Sequence, residues 1–170
     1  MASIIAGYNR VLNWLYALAG IIIFTIFLLI VSDVVIVAVG LQPWLMSSVL
    51  VEYGLLWFAM LAAPQLVRTK GHVFIDAITQ LLPARIQYWL AKLVYVICIA
   101  SSLTFCGYSA QLLIVAFSSG EVDIRAVDMP LWLLLAPLPF TFALVALEFG
   151  RYLVGIDDMY GSRTDARDTV

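Results

Sequence analysis

Leu93–Gly120, LVYVICIASSLTFCGYSAQLLIVAFSSG, is the stretch that decides the fold, because it runs through 28 residues without one charged side chain. The hydrocarbon core of a bilayer is about 30 Å thick and takes roughly 20 helical residues to cross. A strand of this length would strand its backbone groups in lipid, whereas a helix satisfies its own. Working outward, Trp14–Ser32 is also uncharged, with apolar character resuming after Asp33 as far as Leu41. Trp44–Val67 is interrupted once, by Glu52, and Met129–Leu147 closes with Glu148 and Arg151. The expectation is an all-α integral membrane protein with four transmembrane helices, over about 11–41, 44–67, 89–120 and 129–153. Composition agrees: the chain is 64% hydrophobic and 12% charged, with mean hydropathy +1.04, where globular chains carry about a quarter charged residues.

The basic residues set an expected orientation. Arg10 precedes the first span, and the turn at Gln42-Pro43 has no Lys or Arg. Arg68, Lys70, Arg85 and Lys92 lie between the second and third spans, Arg125 alone between the third and fourth, and Arg151, Arg163 and Arg167 follow. One side therefore holds eight and the other one, so the positive-inside rule places both termini in the cytoplasm. Trp14, Tyr16, Tyr88, Trp89 and Tyr152 gather at the expected inner interface, and Trp44 and Trp132 mark the outer one. The first span is read as retained rather than as a cleaved signal, being long and lacking a cleavage site. Residues 156–170 are read as a polar cytoplasmic tail.

Residues 72–83 differ from the spans. Phe74, Ile75, Ile78, Leu81 and Leu82 recur at helical spacing, with His72, Asp76, Thr79 and Gln80 opposite, and Pro83 ends the run. Such a segment suits an amphipathic helix lying in the interface plane, as a surface anchor and a docking ledge for a partner. Arg68, Lys70 and Arg85 flank it at headgroup depth, where each gains about 1 kcal/mol from anionic membrane lipid.

Reactive chemistry is scarce. His72 is the one histidine, which argues against a haem held between paired imidazoles. No Cys or His cluster has metal spacing and no glycine-rich phosphate loop is present, so no cofactor is expected. Cys98 and Cys106 lie about 12 Å apart along one helix and do not bridge. A net charge of −2 with no basic face excludes nucleic acid as a partner. Ser101 and Ser102 have no base beside them and are expected to bond a preceding turn or a neighbouring helix. Asp33 and Glu52 lie equally far from the Gln42-Pro43 turn, which places them at similar depth. They are open to pairing with cations on another chain, sharing a proton, or reaching water. Trp57 falls in mid-membrane and is expected to face another helix. Glu148 and Arg151, three apart, are expected to pair. Pro137 and Pro139 should kink the last span by removing backbone donors.

The order Trp57, Arg68, Lys70, Gly71, His72, Asp76, set in the run WFAMLAAPQLVRTKGHVFID, resembles the small membrane subunit of tripartite ATP-independent periplasmic (TRAP) transporters, the DctQ family. The likeness extends over all four spans and the Met129-Pro130-Leu131-Trp132 entry to the last. It departs where family members carry an acidic pair near a tryptophan, so no family role passes to Glu52. The resemblance implies a non-catalytic subunit without a transport path. A large membrane subunit (DctM-like) would move an organic acid, carboxylate or sulfonate, by a sodium-driven elevator motion. A periplasmic substrate-binding protein (DctP-like) would deliver the solute, and this chain would brace the moving part. Asp33, Glu52, Trp57, His72 and Asp76 are then candidate subunit contacts, and Glu121, Asp123, Arg125 and Asp128 candidate contacts to the binding protein. Two other classes remain: a self-sufficient small exporter working through Glu52, and a membrane anchor of a redox enzyme.

Overall fold

The computed structural model describes residues 2–69, 83–125 and 128–155. Four of its helices are long and apolar enough to cross a membrane. They are carried by α1 (Ala2–Ala38), α2 (Leu45–Arg68), α3 (Ala84–Ser119), and a divided fourth unit, α4 (Leu131–Leu135) with α5 (Pro137–Val154). Between α3 and α4 a short antiparallel ribbon pairs β1 (Val122–Ile124) with β2 (Asp128–Pro130). The interfacial segment expected at 72–83 and the tail at 156–170 lie outside the described residues, apart from Pro83, which caps α3.

The helices begin and stop for identifiable reasons. At the end of α1, Gly40 takes φ +83°, its N–H donates to Val37 O at 2.9 Å, and the Leu41 N–H donates to Ile36 O at 3.1 Å. These two bonds close orphan carbonyls of the last turn, and the left-handed residue they need is one that glycine adopts without a Cβ penalty. The fourth span is interrupted at Ala136, which keeps helical torsions (φ −52°, ψ −43°) ahead of Pro137. The hydrogen bonding is interrupted there, since Pro137 and Pro139 have no N–H to give the preceding turn.

The helices form an open row, α1–α2–α5–α3. The middle two each touch two neighbours, and no extensive contact joins α1 to α3 among the described residues. Leu12, Ala19 and Ile26, seven apart, are the buried stripe of α1. That period is the seam of a left-handed helix pair. Ile26 lies against Gly54 of α2, where an added Cβ would sit 2.8 Å from Ile26 Cδ1. A small residue is what permits so close an approach in lipid, where apolar packing has no hydrophobic drive to assist it. Asp33 continues the seven-residue spacing of that stripe and is half-buried.

At 37 and 36 residues, α1 and α3 measure roughly 55 Å along their axes, well beyond the hydrocarbon thickness. Both edge helices expose apolar side chains along their length, among them Ile21, Phe24 and Phe27 on α1 and Phe105, Ile114 and Phe117 on α3. The densest core, Val67, Ala91, Tyr95, Phe149 and Tyr152, lies at the end of the row that carries the start of α1 and the close of α5.

Candidate functional site

Three polar junctions tie the row together at three depths. Each supplies a backbone or charged group that has no partner within its own helix.

The first is at the ribbon end. Asp123, the half-buried middle residue of β1, accepts a hydrogen bond from the Tyr53 hydroxyl of α2 at 2.8 Å. Arg125 follows the strand and donates through Nη1 to Glu52 Oε2 at 2.6 Å, while its Nε lies 3.3 Å from Asp123 Oδ2. The Glu52 carboxylate, with Asp123 behind it, raises the already high pKa of this guanidinium, so it stays charged. Glu52 is 61% exposed and Arg125 47%. These two site candidates, expected in different roles, are thus partners within one chain. Asp128 faces Ile124 in the ribbon register, and Glu121 uses its carbonyl to accept from the Leu131 N–H at 3.0 Å. Both acidic side chains are exposed.

The second junction lies mid-helix. Pro64, fully buried in α2, has no N–H, so the Met60 carbonyl one turn earlier lacks its helical donor. Thr141 of α5 supplies one, Oγ1 donating to Met60 O at 2.9 Å. Nearby on the other flank of α5, the Cys106 thiol of α3 donates to Pro139 O at 3.3 Å. One proline defect is thereby turned into a bond between helices.

The third junction is at the terminal end. Glu148 is 1% exposed and takes two bonds from Arg151 Nη1, at 3.0 and 3.2 Å, the pair its spacing predicts. From α1 the Tyr8 hydroxyl approaches this carboxylate without reaching hydrogen-bond geometry, and lies within electrostatic range of Arg68 and Arg151. Tyr152 donates toward the last carbonyls of α2, Val67 O at 3.0 Å and Arg68 O at 3.1 Å. Lys92 of α3 does the same for Leu153 O near the close of α5. Helix C-termini leave such carbonyls orphaned, and a cation there also opposes the helix dipole.

The remaining sequence candidates are scattered. Trp57 is half-buried on α2, Arg68 is half-buried at its end, and Arg85 is exposed at the start of α3. Asp33 has no hydrogen-bond or ion-pair partner among the described residues. Lys70, His72 and Asp76 lie outside the described residues. No group of three His, Cys, Asp or Glu side chains suited to a metal occurs among the described residues. Ser101 bonds Cys98 O one turn back at 3.0 Å. Thr141 drew no attention in the sequence, and Tyr152 and Lys92 were read there only as an interfacial aromatic and an orienting cation, not as caps of another helix. Pro64 inside an apolar run was a usable signal that Met60 needs a donor, although nothing in the sequence named which helix provides it.

Four spanning helices with a ribbon closing one end now meet a finding from comparison. A family model for the DctQ component of tripartite ATP-independent periplasmic transporters matches residues 26–156. This chain belongs to the DctQ family. No curated protein matches it. The DctQ match enters α1 at Ile26, the residue that meets Gly54, and ends just after α5. It therefore takes in all three polar junctions except Tyr8. As a DctQ component the chain is the small membrane subunit of a tripartite transporter, a multi-pass membrane protein in a family of transport components.

Proposed function

We propose that this DctQ subunit is a rigid, non-catalytic brace for a large elevator-type membrane subunit (DctM-like). The solute, an organic acid bearing a carboxylate or sulfonate, would be driven by a sodium gradient and delivered by a periplasmic binding protein (DctP-like). The observation that carries this reading is the open row of helices cross-bonded at three depths. A plate locked by Glu52–Arg125, Thr141–Met60 and Tyr152–Val67 resists bending. Its two edge helices leave long apolar faces for lipid and for a neighbour. Two of the three acids in the spans are engaged within the chain, Glu52 with Arg125 and Glu148 with Arg151, and Asp33 stands alone among the described residues.

In this reading both termini lie in the cytoplasm of a cell whose inner membrane holds the complex, and the ribbon faces the periplasm. Glu121, Asp123, Arg125 and Asp128 then sit where the delivery protein lands. Asp33, Glu52, Trp57, His72 and Asp76 are the subunit-contact candidates, and Arg68, Lys70 and Arg85 meet lipid headgroups. The test is reconstitution of the large subunit in liposomes with a sodium gradient and loaded binding protein, with and without this chain. Uptake should require it, and the chain alone should move nothing. Solute flux by the isolated chain, abolished by Glu52→Gln, would replace the brace with a small exporter.

A further inference from the structure

An open groove of about 520 Å³ lies along the first turns of α1, lined among the described residues by Asn9, Arg10, Asn13, Trp14 and Ala17. It falls before residue 26, outside the stretch that the family model matches, so the match assigns it no role. Among the described residues its lining holds a guanidinium, two amides and an indole, with no carboxylate. Arg10, Asn13 and Trp14 are all exposed, and Asn9 buries its Oδ1 without a partner. Above the groove, Arg10, Trp14, Ala17, Ile21, Phe24 and Leu28 succeed one another at spacings of three and four, one face of a helix. All six are exposed.

We infer that this groove binds the phosphodiester of an anionic phospholipid in the leaflet that the charge count assigns to the cytoplasm, with one acyl chain lying along Ala17, Ile21 and Phe24. Arg10 is the fork that reaches two phosphate oxygens, Asn13 adds an amide donor, and Trp14 sits at the level of the glycerol esters. The dimensions agree: Trp14 to Phe24 spans about 15 Å along the helix, half a hydrocarbon core. Arg10 with no carboxylate among the described lining residues favours phosphatidylglycerol over phosphatidylethanolamine, whose ammonium finds no counter-charge among them. A free phosphate offers the same head chemistry but cannot use the apolar stripe. The inference rests on the orientation proposed above only for the choice of leaflet, because binding itself is measured in detergent.

The purified full-length chain, stripped of lipid, is titrated with phosphatidylglycerol, phosphatidylethanolamine and glycerol 3-phosphate, and adducts are counted by native mass spectrometry. One phosphatidylglycerol should be retained per chain, about tenfold more weakly after Arg10→Gln, with retention only partly restored by Arg10→Lys, which keeps the charge and loses the fork, at unchanged helicity. Arg167→Gln, an equal loss of charge in the tail, should leave it intact. Equal weakening by both glutamine variants, or full retention in Arg10→Gln combined with Asn13→Ala, would overturn the site. Displacement by glycerol 3-phosphate at lipid concentrations would make it an anion site and not a lipid site. In the assembled transporter a photoreactive residue at Ala17 should capture lipid; capture of the large subunit or of a second copy of this chain would equally overturn the inference.

Discussion

Thr141→Val tests whether the row is held by repairing a proline defect. Valine matches threonine in shape and removes only the hydroxyl. Met60 O then has no donor, because Pro64 offers no N–H and Thr141 Oγ1 at 2.9 Å was its partner. Leaving a buried acceptor bare costs about 1–3 kcal/mol in proteins generally, and hydrogen bonds between membrane helices measure about 0.6 on average and 1.7 at most. Thr141 is 3% exposed, which argues for the upper part of that second range, so about 1–1.5 kcal/mol is expected. The decisive arm is a cycle with Pro64→Ala. Alanine returns an N–H to α2, lets Met60 O accept within its own helix, and makes the Thr141 hydroxyl redundant. Thr141→Val should then cost only a few tenths of a kcal/mol. The assay is reversible unfolding in mixed micelles followed by helicity, with all four chains. An equal cost of Thr141→Val in both backgrounds would refute the reasoning, whatever Pro64→Ala does by itself to packing.

Four other outcomes follow from the remaining junctions. Gly54→Val forces a side chain onto Ile26, whose Cδ1 already lies 2.8 Å from the built Cβ; a loss of about 1–3 kcal/mol is expected, partly recovered by Ile26→Ala. Glu148→Ala strands the Arg151 guanidinium at a site where the acid is 1% exposed, and should cost about 3 kcal/mol, while replacing both by methionine should cost much less. Tyr152→Phe removes the donor that closes α2, and amide exchange at residues 65–68 should accelerate severalfold with little change elsewhere. Arg125→Gln should loosen the ribbon on α2, leaving the Tyr53–Asp123 bond, read as faster exchange over 122–125 and 128–130 and a lost salt dependence there, with the melting temperature nearly unchanged.

What could be read directly was what is local. A spanning helix closes its backbone bonds within the segment, so about 20 apolar residues announce it regardless of neighbours. Glu148 and Arg151 were legible for the same reason, being one turn apart on one helix. The interruption of the fourth span was half legible: Pro137 and Pro139 marked where donors vanish, but the helical torsions at Ala136 were not foreseeable. The ribbon was missed altogether, since its strands are three residues each and lie in a segment whose acidic character dominated its reading.

Asp33 and Glu52 show where sequence stopped. Counting from the turn put both at one depth, and they have different surroundings. Glu52 is met by Arg125, 73 residues away, whereas Asp33 continues the α1 stripe that ends at Ile26. Sequence by itself determined that this chain is four membrane helices with a charge bias and a DctQ-like signature. Tertiary structure alone decided the order α1–α2–α5–α3 and which carbonyls Thr141, Tyr152 and Lys92 cap. The physical reason is that lipid is as apolar as a packed helix, so buried and exposed faces carry the same residues and no periodicity betrays the neighbour.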